Sequence, residues 1–173
     1  MSKQTGYYTV FEHTPWRFYI AATNLGLCFV GSMPASKEEC LNWTSRFRPD
    51  YVFEENSLQL SLYLEAFSAY LSGQVLTIDV PLDLTGTPFQ QKIWEALRHI
   101  PYGETVSYSE LASQSGLDSK AARAVGTAVG KNPLLIVYPC HRVLTKNGKL
   151  GGYRGSLPMK EQLLKLEQLT FKT

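Results

Sequence analysis

Apolar positions recur with two different periods along this chain. Residues 7–11 and 16–21 are rich in aromatic and β-branched side chains, and residues 27–30 follow the turn signal Thr23-Asn24-Leu25-Gly26. These three runs predict a small antiparallel meander. Ser36 is placed to cap a helix passing through Glu38, Glu39 and Leu41 toward Trp43. Leu60, Tyr63, Leu64, Phe67 and Leu71 fall on one helical face and predict a helix over 57–71, ended by Ser72-Gly73. Leu76, Ile78 and Val80 alternate with polar residues, which predicts a last strand. The turn-rich stretch 81–88 then marks a junction, giving domains at 1–82 and 83–173.

The second half reads as mostly helical. Thr87 is an N-cap with Pro88 at the first helical position, and Phe89, Ile93 and Leu97 sit four apart with Trp94 beside them. Ser107-x-x-Glu110 forms a capping box before Leu111 and Ala112, opening a short helix that ends near 114–116. A third helix over 119–129 is built from small residues, with Arg123 as the long cation in its middle. A short helix, a glycine-containing turn and a second helix make a helix-turn-helix pattern. Residues 134–137 read as a buried apolar strand or extended segment that delivers the chain to Pro139-Cys140-His141-Arg142. A tight turn at 146–149, a glycine-rich loop at 150–155 and a final helix opened by Leu157-Pro158, with Leu163, Leu166 and Leu169 on its apolar face, complete the pattern.

Charge sharpens the division. The net charge is +2 over 173 residues, but residues 1–85 hold five Lys/Arg against nine Asp/Glu, and residues 86–173 hold twelve against six. A basic second half suggests a polyanionic partner. Hydrophobic residues at 44% and charged residues at 18% are globular values. No apolar run reaches the ~18–20 residues of a membrane span, and residues 1–10 lack signal-peptide character, so a cytoplasmic protein is expected. Three cysteines, Cys28, Cys40 and Cys140, argue against a disulfide scaffold, and with His13, His99 and His141 they make no zinc-ligand spacing.

A thiol of ordinary pKa is only a few per cent thiolate at neutral pH, so a nucleophilic cysteine needs a base or a positive neighbour. His141 follows Cys140 directly. On a strand the two would point to opposite faces; a turn at Pro139 or a bridging water could bring them together.

The octet Ile136-Val137-Tyr138-Pro139-Cys140-His141-Arg142-Val143 resembles the active-site signature of the O6-alkylguanine-DNA alkyltransferases. Phe89-Gln90-Gln91-Lys92-Ile93-Trp94, Pro101-Tyr102-Gly103-Glu104-Thr105-Val106-Ser107-Tyr108, Ala121-Ala122-Arg123-Ala124-Val125-Gly126, and the run from Gly152-Tyr153-Arg154-Gly155 to Lys160-Glu161 resemble the same family in the same order. The likeness covers nearly all of 80–170, while the first 80 residues match only in general layout.

This resemblance implies an N-terminal ribonuclease-H-like α/β domain with an antiparallel sheet. It also implies a C-terminal winged-helix-like helical domain that holds the chemistry. The implied activity is direct, irreversible transfer of an alkyl group from O6-alkylguanine, and from O4-alkylthymine, in double-stranded DNA to Cys140. Each molecule acts once, without cofactor or metal, and as a monomer. Glu167 would orient His141, and His141 would activate Cys140 through a water; Tyr108 would donate to N3 of the leaving guanine. Backbone groups of Cys140, Val143 and Arg154 would read the base, under a loop that includes Tyr153 and Gly155. Lys160 would support that loop, and Asn132 would brace the turn carrying the cysteine. Arg123, flanked by Ala121, Ala122 and Ala124, would enter the base stack from the minor groove as the damaged nucleotide flips out. The small Gly155 leads to an expectation that adducts larger than methyl are tolerated. Competing readings are a lesion-recognition module without transfer, a thiol hydrolase and a redox-sensing regulator.

Overall fold

The first two runs become paired strands in the computed structural model, which describes residues 2–169. The chain divides into two units, Met1–Thr85 and Gly86–Thr173, against the 82/83 boundary read from the turn signals. Both contain helices and strands, so the fold is mixed α/β.

In the first unit, β1 (Gln4–His13) and β2 (Trp16–Ala22) run antiparallel, from Tyr7 opposite Ala22 to His13 opposite Trp16. β3 (Leu27–Val30) adds antiparallel to β2. The sheet is mixed rather than antiparallel throughout, because β4 (Tyr51–Glu55) lies parallel to β1 at the other edge. A parallel neighbour needs a crossover, and α1 (Lys37–Phe47) lies in the connection between β3 and β4. Ser36 caps α1 by accepting the Glu39 amide at 3.1 Å. α2 (Ser61–Leu71) follows a 3-10 turn at Leu58–Leu60, so the expected helix is regular only in its later part. Its Phe67 ring packs edge-on to Phe18 at 5.4 Å between centroids, and Phe18 stacks on Phe11 at 5.0 Å.

No strand forms at 76–80. The chain instead meets β3 slightly later, at a parallel bridge between Leu27 and Leu82. Asp83 is fastened there by Arg48 and by the Thr23 hydroxyl at 2.5 Å. These side-chain partners hold the segment without a ladder.

The second unit opens with α3 (Pro88–Leu97). Its capping box is complete: the Gln90 amide donates to Thr87 Oγ1 at 3.1 Å, and the Thr87 amide to Gln90 Oε1 at 3.0 Å. α3 buries Ile93, Trp94 and Leu97. A short strand β5 (Val106–Ser107) leads into α4 (Tyr108–Gln114). Ser107 accepts the Glu110 amide at 3.1 Å, but the Glu110 carboxylate takes the Ser107 hydroxyl instead of the capping amide, so that box is half made. After Gly116, whose φ of +76° suits a residue without a Cβ, a 3-10 turn at Ser119–Ala121 precedes α5 (Ala122–Val129). α5 packs on α3 and α4. The Trp94 indole Nε1 donates to the Ala128 carbonyl at 2.8 Å. β6 (Val143–Leu144) pairs parallel with β5, and α6 (Leu157–Leu166) closes the unit. Leu163 is buried on α6; Leu166 is half-buried, and Leu169 lies beyond the helix end. No helix among the described residues is long and apolar enough to cross a membrane.

Candidate active site

The site is assembled by a turn where an extended segment was expected. Residues 134–137 do not form a strand, because Asn132 takes the backbone groups a strand would need. Its Oδ1 accepts the Leu134 amide at 2.9 Å and its Nδ2 donates to the Tyr138 carbonyl at 2.8 Å. The chain tightens twice within this clip. The Val137 amide reaches the Leu135 carbonyl at 2.8 Å around Ile136, whose φ of +75° is unusual for a β-branched residue. The Cys140 amide reaches the Tyr138 carbonyl at 2.7 Å around Pro139, at φ −77° and ψ 65°. A 3-10 turn at Cys140–Arg142 follows. Cysteine and histidine are therefore presented from a turn, not from opposite faces of a strand.

Cys140 is buried, and Asn132 Nδ2 donates to its Sγ at 3.3 Å. Burial pushes the thiol pKa up, while the Asn132 hydrogen bond and the charges of Arg154 and Lys160 pull it down; burial prevails. The resting group is a protonated thiol with partners ready for its anion.

His141 is fully buried, and its Nε2 meets Glu167 Oε2. A carboxylate accepts, so Nε2 carries the proton and Nδ1 the lone pair. Nδ1 is buried with no hydrogen-bond partner among the described residues. Burial lowers the imidazole pKa against the opposing pull of Glu167, keeping the ring neutral and able to take a proton. Glu167 caps the end of α6. Burial works against its ionisation, but the bonds and charges of His141 and Arg142 overcome this and hold it at about 2. Arg142 Nε donates to Glu167 Oε1 at 2.7 Å and Nη1 to the Ile100 carbonyl at 2.6 Å; the Gly103 amide reaches the same carboxylate oxygen at 3.4 Å.

A cavity of about 120 Å³ contains Cys140, Tyr108, Gly126, Gly152, Tyr153 and Arg154 in its lining. Tyr108 stands at its mouth, since it also lines an adjoining groove of about 360 Å³ with Ala122, Arg123, Gly126, Thr145 and Lys146. Burial, and then the nearby Cys140, raise the Tyr108 pKa, so the phenol keeps its proton. Fully buried Lys160 donates to the Val143 carbonyl at 2.7 Å, to the Gly152 carbonyl at 3.3 Å and to the Leu150 carbonyl, tying the glycine loop to β6. Its burial lowers its pKa to about 8.

The structure thus brings Cys140, Asn132, Tyr108, Tyr153 and Arg154 together, with His141 and Glu167 forming a buried pair. Arg123 and Ala122 lie in the adjoining groove; Ala121 and Ala124 do not line it. Gly155 does not line the cavity either. A Cβ there would stand 2.5 Å from the Tyr153 ring, 2.7 Å from Met159 Sδ and 2.9 Å from Leu135 Cδ1, so its smallness serves packing rather than open space. At Gly152 a Cβ would meet nothing within 4 Å. Sequence reasoning missed Arg142, which holds Glu167 by an ion pair, and no local signal in the sequence points to that partner.

Residues 88–169 match the family model described as the DNA-binding domain of 6-O-methylguanine DNA methyltransferase. The inducible methylated-DNA–protein-cysteine methyltransferase of Bacillus subtilis (strain 168) is 44% identical over 167 residues, covering 96% of this chain and 93% of that protein. The methylated-DNA–protein-cysteine methyltransferase of Methanosarcina acetivorans is 42% identical over 163 residues, covering 93% and 97%. The crystal structure of Mycobacterium tuberculosis OGT in complex with DNA matches with a TM-score of 0.77 at 36% identity, covering 94% of this chain and 92% of that one. With likeness at this level along almost its entire length, the chain belongs to the methylated-DNA–protein-cysteine methyltransferase family.

Proposed function

We propose that this protein repairs alkylated DNA by moving the alkyl group from O6 of guanine onto Cys140, once per molecule. The observation that carries the reading is the joining of two arrangements at one cysteine. Cys140 opens into a small cavity with Tyr108, and beside it in sequence stands a neutral imidazole held by an ionised carboxylate. Family membership supplies the substrate class.

In this reading Nδ1 of His141 takes the thiol proton through a water. The thiolate attacks the alkyl carbon; the S–C bond forms as the C–O6 bond breaks. The electron pair passes into the guanine ring, where Tyr108 supplies a proton at N3. The thioether does not hydrolyse, which makes the event single. Base-reading groups include the backbone of Cys140, Val143 and Arg154, beneath Tyr153; Lys160 supports the loop and Asn132 braces the cysteine turn. O4-alkylthymine is the second substrate by the same geometry.

The DNA partner is proposed from the relative crystallised with DNA and from the basic second half. Arg123, exposed on α5 in the groove that shares Tyr108 and Gly126 with the cavity, fills the gap left by the flipped base from the minor groove. We read the first unit as ribonuclease-H-like and the second as winged-helix-like, with α4 and α5 as its helix-turn-helix. The protein acts as a cytoplasmic monomer.

Intact-protein mass after incubation with duplex DNA carrying O6-methylguanine tests this. One methyl group gained on Cys140, saturating at one per molecule and absent from Cys140→Ala, is expected. Lesion binding without mass gain would favour the recognition module; repeated turnover on esters or peptides would favour a hydrolase.

A further inference from the structure

The Arg154 side chain makes contacts that reading the base does not require. Its Nε donates to the Asn132 carbonyl at 2.8 Å, and Nη2 lies 3.5 Å from the Pro133 carbonyl. Asn132 is the residue whose amide touches Cys140 Sγ and clips the turn beneath it. A continuous path therefore runs from the glycine loop, through one guanidinium, into the brace of the nucleophile. Lys160 fastens the earlier part of the same loop through the Leu150 and Gly152 carbonyls. The loop is thus gripped by two cations, and Arg154 is the one joined to the cysteine turn. It is half-buried and lines the cavity that holds the thiol.

The geometry points to Arg154 as a positioning residue for the transfer: its planar fork locks the loop onto Asn132, and its positive charge, held at the cavity wall, favours the Cys140 thiolate. This rests on the function proposed above. The chemistry of the step is unchanged; what Arg154 sets is how much of the sulfur is anionic, and how Asn132 meets it. A guanidinium suits both tasks, being always charged and presenting several donors in one plane. Its effect on the thiol is in the lowering direction, as is that of Lys160 from α6. The titratable groups that share the cavity with the thiol and Arg154 are Tyr108 from α4, which keeps its proton, and Tyr153 from the loop; His141, next in sequence, is held by Glu167 and stays neutral.

The test compares wild type with Arg154→Ala, Arg154→Gln and Arg154→Lys, each checked for an unchanged unfolding temperature. The pH dependence of Cys140 alkylation by iodoacetamide is read by peptide mass without DNA, alongside the rate of methyl transfer from O6-methylguanine duplex. Gln keeps a donor without charge, and Lys keeps the charge without the fork. Expected is an upward move of the alkylation midpoint by about one pH unit in the Ala and Gln variants, with transfer at neutral pH slowed about tenfold. Lys should hold the midpoint near that of wild type. An unmoved midpoint in folded Gln and Ala variants, or one that moves as far in Lys as in Gln, overturns the proposal. Wild type that reacts with iodoacetamide but takes no methyl from DNA overturns the proposed function instead, and leaves the Arg154 comparison readable. Should Arg154→Ala fail to fold, the Gln and Lys pair decides alone.

Discussion

Glu167 is ionised because of its neighbours, against the effect of its own burial. Arg142 and His141 share its two oxygens, and the Gly103 amide adds a third donor. The carboxylate fixes the proton on His141 Nε2, which leaves on Nδ1 the lone pair that the proposed mechanism uses as its base. Glu167→Gln keeps the shape but removes the charge, and its amide can present a donor where an acceptor is needed. Methyl transfer at neutral pH is expected to fall about 100-fold, the usual worth of a positioned general base, in single-turnover kinetics on O6-methylguanine duplex. DNA affinity should be unaffected, since Glu167 is buried. The pairing of His141 with Glu167 was legible only through the family motifs around the Cys140-His141 pair, and the chemistry proposed for them rests on the same motifs. Arg142 was not, because an arginine beside a histidine is an ordinary dipeptide until the fold aims it at a carboxylate that lies 25 positions later.

At the scale of elements, local signals that close within a few residues were readable, and those that depend on distant partners were not. Ser36, Thr87 and Ser107 each cap the helix their spacing announced. β4 was missed: it is a short edge strand ending in two glutamates, and it is set by pairing with β1 about 47 residues earlier in the chain. The strand expected at 76–80 alternates correctly but finds no ladder. The turn at 134–137 looked like a strand because its residues are apolar; the side chain of Asn132 decides otherwise. One element end carries a readable strain. Ser156 caps α6 with φ 100° and ψ 150°, a region suited to glycine, while its hydroxyl accepts the Met159 amide at 3.4 Å. Ser156→Gly loses a weak cap worth a few tenths of a kcal/mol and relieves about 1 kcal/mol or more of backbone strain. A net gain of about 1 kcal/mol should appear as a higher urea midpoint with unchanged slope.

For the whole molecule, the buried Glu167–His141 pair makes stability depend on acid. Glu167 sits at about 2 when folded and near 4.3 when unfolded, so its contribution is present above the unfolded value and is lost as pH falls through the folded one. His141, kept neutral by burial, acts in the same direction from about pH 6.5 downward, because the unfolded chain takes up the proton first. The unfolding temperature should therefore decline on acidification, and Glu167→Gln should flatten the part of the decline between about pH 4.5 and 2. Calorimetry across that range measures it. The hydrogen bond from Trp94 to Ala128 has a practical corollary. Trp16 and Trp43 belong to residues 1–85, leaving Trp94 as the lone indole of residues 86–173. Its ring is fully buried and its N–H ends on the last turn of α5, the helix that presents Arg123. Replacing the other two tryptophans with phenylalanine would leave an intrinsic fluorophore whose emission colour tracks the wetting of that indole, a built-in optical gauge for any displacement of α5 when DNA is engaged.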